Sequence, residues 1–165
     1  DDQFKISTTK LSIQQLSLLY NSVDCTINIS DAEGFGLATL ESLATETPII
    51  VNMTGGLQEQ VTDGKNWFGV GIDPISKSVI GSQEVPWIHE DRISGEQLVD
   101  AMVKVFDLPK QELEEMGRLG RKHVIDNYSM KKYIETWDKV LTNINDTHGS
   151  WESRNINLWS LSEIV

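Results

Sequence analysis

Ser30-Asp31-Ala32-Glu33-Gly34-Phe35-Gly36-Leu37-Ala38-Thr39-Leu40-Glu41 is the stretch whose reading decides the fold. The apolar run Cys25-Thr26-Ile27-Asn28-Ile29 leads into it with strand character. Leu37 to Thr45 leads out of it with helix character. Between them, Glu33-Gly34-Phe35-Gly36 forms a tight loop. A strand that ends in a glycine loop and opens a helix offers backbone N–H groups to an anion. Glycine permits a positive φ and a close approach of the backbone, and the helix dipole adds positive potential at the same point. Glu33 and Glu41 bracket the loop with seven residues between them. Glu41 lies about 6 Å along the helix axis from Leu37, at roughly 1.5 Å per residue. Carboxylates repel phosphate but accept hydrogen bonds from hydroxyls, so the pair suits a sugar on one side of an anion and a ribose on the other.

Outward from this stretch the chain alternates. Phe4 to Thr8 reads as a short strand, and Ser12 with Gln15 has capping-box spacing before Leu16, Leu19, Tyr20 and Val23. In the motif helix, Leu37, Leu40, Leu43 and Ala44 predict the buried stripe, with Glu41 pointing away from it. Pro48 starts the next strand, Ile49-Ile50-Val51; Gly55-Gly56 opens a short helix, Leu57 to Thr62, and Phe68 to Ile72 is a further strand. The fold class is therefore α/β: a Rossmann-like parallel sheet with flanking helices. Ligands in such sheets bind beyond the carboxyl ends of the strands, where the Glu33, Met53 to Gly56 and Asp73 loops fall. Asp73 to Ile93 has no clear period and is expected to be a long loop. Ser94 and Gln97 repeat the capping-box spacing before a helix to Phe106, and two more helices follow, one through Leu113, Met116, Leu119 and Val124, the other over Met130 to Ile144.

The ordered set Ser30-x-x-Glu33-Gly34-Phe35-Gly36-Leu37-x-x-Leu40-Glu41, Pro48-Ile49-Ile50, Gly55-Gly56-x-x-Glu59-x-Val61 and Asp63-Gly64 resembles the donor-site signature of retaining GT-B glycosyltransferases of family 4. The Glu-x7-Glu pair alone is a weak signal; joined to the flanking segments in this order it is specific. Asn52 to Ile72 also resembles glycosyltransferases of large algal viruses. The resemblance implies that Glu33 contacts hydroxyls of the transferred sugar as the catalytic carboxylate, and that Glu41 accepts from ribose hydroxyls. Backbone N–H groups of Gly34, Phe35, Gly36 and Leu37 would meet phosphate or sugar, with Gly55, Gly56 and Glu59 completing the donor site and Ser30 and Thr39 as weaker candidates. It implies a nucleoside-diphosphate sugar as donor, a glycan or other hydroxyl acceptor, and neither metal nor cofactor.

Each assignment competes with a plainer one. Glu33 and Glu41 could be solvated charges, the glycines simple turn formers, and Glu59 a helix surface charge. The family has two Rossmann-like domains, and this chain matches the latter part of the second. Residues 1–146 are then a partial donor-binding domain with 73–93 as a loop insertion. The tail 147–165, with Trp151, Leu158, Trp159 and Leu161, is expected to pack on another domain or chain. The family's Arg and Lys that grip the diphosphate have no counterpart here. The acceptor domain would come from a missing N-terminal domain or a partner chain, and the chain alone is expected to be inactive. A rival reading is a non-catalytic Rossmann-like binding or assembly module; a phosphorylase or epimerase of the same fold type is a third.

Composition narrows the classes. The 165 residues suit one domain of about 150 residues. The net charge of −11 argues against nucleic acid or an anionic membrane as partner, and sits awkwardly with an anionic donor. Cys25, the single cysteine, excludes an internal disulfide and fits a reducing, cytoplasmic setting. No apolar run is long enough to span a membrane. His89, His123 and His148 lack metal-ligand spacing. The Asn-x-Ser/Thr triplets at Asn28, Asn52, Asn127 and Asn145 read as chance.

Overall fold

The computed structural model describes residues 3–150. The chain divides into two units after Asp126. In the first, α1 (Ile13–Asn21), β1 (Thr26–Asn28), α2 (Leu37–Ala44), β2 (Ile49–Asn52), α3 (Leu57–Val61) and β3 (Gly69–Ile72) alternate. They are followed by β4 (Ser76–Ile80), β5 (Ile88–Arg92), α4 (Gly95–Phe106) and α5 (Lys110–Tyr128), the last of which ends just past the boundary. The second unit carries α6 (Met130–His148), capped by the Ser129 hydroxyl, with the Tyr133 and Trp137 rings tilted at 58° to each other along it. The tail beyond Ser150, expected above to pack on another domain, lies outside the described residues.

The expected α/β class is what forms. β1, β2 and β3 make a parallel sheet in that order, with Thr26 opposite Ile49 and Ile49 opposite Gly69. β2 is central and wholly buried, so its alternate residues feed two cores. Ile49 and Val51 pack with Leu43 of α2, Leu57 and Val61 of α3, and Phe68. Ile50 packs on the other face with Val70, Ile72 and the α4 residues Ala101 and Val105. Helices thus cover both faces, as a continuous apolar strand requires. Both expected capping boxes are present, Ser12 with Gln15 and Ser94 with Gln97.

Three expectations fail. Phe4 to Thr8 is not a strand; Phe4 and Ile6 stand 90% and 91% exposed, because no neighbouring strand or core face receives them. The buried face of α2 is Thr39, Ser42 and Leu43: of the expected stripe Leu43 is buried, Leu40 and Ala44 are half-buried, and Leu37 is 68% exposed. Hydrogen bonds explain this polar face: Thr26 Oγ1 donates to Ser42 Oγ (2.7 Å), which donates to Thr47 O (3.0 Å). A satisfied hydroxyl can take a core position that hydropathy alone assigns to leucine. Finally, Asp73 to Ile93 is no irregular loop but a hairpin, with Ser76 opposite Arg92 and Ile80 opposite Ile88. Its strands are largely solvent-exposed on both faces, so they carry no hydrophobic period to read.

Cys25 borders the α4 face. Burial, and then the charge of Asp24, pushes its thiol from 9.0 up to about 12. Between those values the unfolded chain ionises and the folded chain does not, so the thiol's contribution to stability is intact below pH 9.0 and is lost as pH rises toward about 12. A thiolate-directed reagent at pH 8.5 is expected to label native chain far more slowly than urea-unfolded chain. Equal rates would refute the burial of this thiol.

Candidate functional site

The Glu33–Gly36 loop leaves the carboxyl end of β1 and enters α2 through Gly36, whose φ of 88° and ψ of 65° are left-handed. No side chain caps α2, so the first-turn N–H groups are not claimed by a capping oxygen. The Thr39 hydroxyl instead turns back to Gly36 O (2.7 Å) and Gln60 Oε1 (2.5 Å), sharing one proton between them. Gln60, fully buried, donates through Nε2 to Phe35 O (2.6 Å). The Gln60 side chain of α3 therefore clamps the loop at its Phe35 carbonyl.

The Gly55–Gly56 turn lies directly against this loop. A Cβ on Gly55 would sit 1.7 Å from Glu33 O, and one on Gly56 would sit 2.7 Å from Phe35 O and 2.9 Å from Gly34 O. The structure thus brings Glu33, Gly34, Phe35, Gly36, Gly55 and Gly56 together as two touching loops at one sheet edge. The close approach accounts for Gly55 and Gly56 on packing grounds alone. Glu59 is exposed in the first turn of α3, with its carbonyl oxygen 2.9 Å from His123 Nε2.

Of the two bracketing acids, Glu33 is half-buried and its carboxylate has no hydrogen-bond or ion-pair partner among the described residues. Glu41 is exposed on α2, and the Tyr20 hydroxyl donates to its Oε2 at 3.2 Å. Burial, then the Glu41 charge, then this hydrogen bond raise the Tyr20 phenol above its ordinary range. Leu37 holds the first helical position with its side chain in solvent, which leaves only its backbone facing the loop.

The hairpin is fastened to the same edge. Asn52 Nδ2, at the end of β2, donates both to Ser30 O (2.9 Å) and to Asp91 O (2.7 Å). Asp91 N donates to Asp31 O (2.7 Å), and Thr54 Oγ1 donates to the Asp91 carboxylate (2.8 Å). That hydroxyl, aided by Lys77 at 3.3 Å, holds Asp91 below the usual carboxylate range. Arg92 pairs with Asp31 (3.1 Å) and with Glu90. Lys77 and Arg92 are thus already matched to acids. Trp87 stands exposed near the hairpin tip with φ of 65°. Among the described residues, no group of three His, Cys, Asp or Glu gathers as a metal site, and no helix is long and apolar enough to cross a membrane.

Sequence reasoning missed Tyr20 and Gln60. The periodicity places Tyr20 on a core-facing stripe and says nothing of a partner on another helix. Gln60 did leave a signal: it shares the α3 face of Leu57 and Val61, where an apolar residue is expected.

Residues 7–123 match the family model described as glycosyl transferases group 1. The chain is 29% identical over 109 residues to a D-inositol 3-phosphate glycosyltransferase of Paenarthrobacter aurescens, covering 66% of this chain and 22% of that protein. It is 23% identical over 145 residues to a trehalose synthase of Thermococcus litoralis, covering 86% of this chain and 29% of that protein. It is 40% identical over 62 residues to a D-inositol 3-phosphate glycosyltransferase of Corynebacterium urealyticum, covering 37% of this chain and 15% of that protein. The chain spans less than a third of the length of these relatives.

Proposed function

Because this chain belongs to the glycosyl transferases group 1 family, we propose that it is the donor-binding part of a retaining glycosyltransferase acting on a nucleoside-diphosphate sugar. The observation that carries the reading is the pair of touching loops, Glu33–Gly36 against Gly55–Gly56, at the carboxyl edge of the sheet with the α2 amides uncapped. That edge is where open parallel sheets bind ligands. The diphosphate would sit at the first turn of α2, held by amides and the helix dipole. Glu41 Oε1 would accept from ribose hydroxyls. The unpartnered Glu33 carboxylate would accept from hydroxyls of the transferred sugar and stabilise positive charge developing at its anomeric carbon.

Glu33 is assigned an electrostatic role and no covalent one. Attack would come from the face that the diphosphate leaves, with the departing phosphate oxygen taking the acceptor proton. The protein's part is positioning and electrostatic stabilisation. Lys77 and Arg92 are engaged with acids, so the cations that offset the diphosphate would come from polypeptide outside these residues, as would the acceptor domain. The acceptor itself would be a hydroxyl compound, in keeping with the inositol phosphate that gives the Paenarthrobacter aurescens relative its name.

Calorimetric titration of the chain with uridine, guanosine and adenosine diphosphates tests the reading. Saturable millimolar binding of at least one is expected, competed by the corresponding nucleotide sugar. Absence of binding to all three would leave the non-catalytic module as the better account.

A further inference from the structure

Tyr20 and Glu41 are separated by 21 positions and lie on different helices, yet the Tyr20 hydroxyl donates to one oxygen of Glu41. We infer that Tyr20 is a positioning residue that holds the Glu41 carboxylate with one oxygen turned to the ribose of a nucleoside diphosphate. The inference rests on the proposed role of Glu41 at the ribose.

The way α1 is held supports it. No residue of α1 is fully buried and only Leu16 and Tyr20 are half-buried, so apolar packing holds this helix weakly. A polar chain adds to it: Thr47 Oγ1 donates to Tyr20 O (2.8 Å), and Thr47 O accepts from Ser42 Oγ (3.0 Å). Thr47 and Ser42 are both buried, and Ser42 is the residue next to Glu41. The backbone of Tyr20 is thereby tied to the turn of α2 that carries Glu41, independently of the phenol. The phenol then crosses to Glu41 Oε2 at 3.2 Å. A glutamate on an exposed helix face would otherwise sample several rotamers. One phenolic donor can engage only one carboxylate oxygen, and Oε1 keeps its lone pairs, with no partner among the described residues. Two ribose hydroxyls could share that oxygen and the remaining lone pair of Oε2. The raised phenol keeps its proton throughout the neutral range, so it remains a donor.

The test compares a ribonucleoside diphosphate with its 2′,3′-dideoxy analogue, using uridine diphosphate and dideoxyuridine diphosphate, or the base preferred in the titration above. Affinities are measured by calorimetry on the chain and on its Tyr20→Phe and Glu41→Ala variants. Wild type should prefer the ribose form, and Glu41→Ala should erase the preference. Tyr20→Phe should cut the preference about fivefold, the worth of one hydrogen bond, while leaving affinity for the dideoxy form unchanged. That unchanged affinity separates positioning from a general loss of structure. If Glu41→Ala erases the preference but Tyr20→Phe keeps it whole, the role of Tyr20 is overturned and Glu41 stands. If Tyr20→Phe binds the ribose form more tightly, the phenol is a competitor and the inference is again overturned. If wild type shows no preference, or binds neither form, the ribose role of Glu41 fails and takes that of Tyr20 with it.

Discussion

Gly55→Ala is expected to destabilise the first unit by about 3 kcal/mol or more, at the upper end of single substitutions. The added Cβ would meet Glu33 O at 1.7 Å and the Glu33 carbonyl carbon at 2.9 Å. Both are backbone atoms, so no rotamer change relieves the clash. Gly55 also has φ of 48°, which an L side chain resists. The two loops must part, and the amide clamp from Gln60 to Phe35 lies on the moving segment. Gly34→Ala is the internal control. It lies in the same loop pair, but its Cβ would have no heavy atom within 4 Å. Urea denaturation should therefore show a large fall in midpoint for Gly55→Ala and a change within about 0.5 kcal/mol for Gly34→Ala. Similar midpoints for the two variants would mean that the loops do not touch as described.

The second large effect is on chemistry. Under the proposed function, Glu33→Ala should lower transfer by about 100-fold in an active assembly containing this chain, in line with removal of one preorganised electrostatic group. Affinity for the bare nucleoside diphosphate should hardly change, because Glu33 would act on the sugar. The reason for expecting a functional rather than a structural loss is the state of the side chain. It is half-buried, yet no hydrogen bond or ion pair among the described residues uses it. Its backbone carries the structural duty, through the contact of its carbonyl with Gly55. In the chain by itself, Glu33→Ala should remove whatever affinity a nucleotide sugar has beyond its nucleoside diphosphate. Unchanged turnover in the assembly, with the extra affinity intact, would refute the assignment.

Much of this arrangement was legible beforehand. The strand, glycine loop and helix around Glu33 are encoded in neighbouring residues, and the capping boxes at Ser12 and Ser94 depend on a spacing of three. Where the reading failed, the deciding partner was distant. The α2 stripe was misread because Ser42 meets Thr26 and Thr47, which supply hydrogen bonds that no hydropathy pattern records. The hairpin escaped because its pairing, Lys77 opposite Asp91 among others, is polar and largely exposed on both faces. The Phe4 to Thr8 strand was read from residues whose apolar side chains find nothing to pack against.

By itself, the sequence determined that this chain builds a parallel α/β sheet and presents a glycine loop between two glutamates, because backbone freedom, capping and apolar period act over a few residues. Only the tertiary structure decided that Gly55 closes on Glu33, that Gln60 grips Phe35, and that Tyr20 reaches Glu41. Those contacts join residues 21 to 25 positions apart. They exist only once the helices have settled on the sheet, since packing of distant faces, not local propensity, fixes which atoms meet.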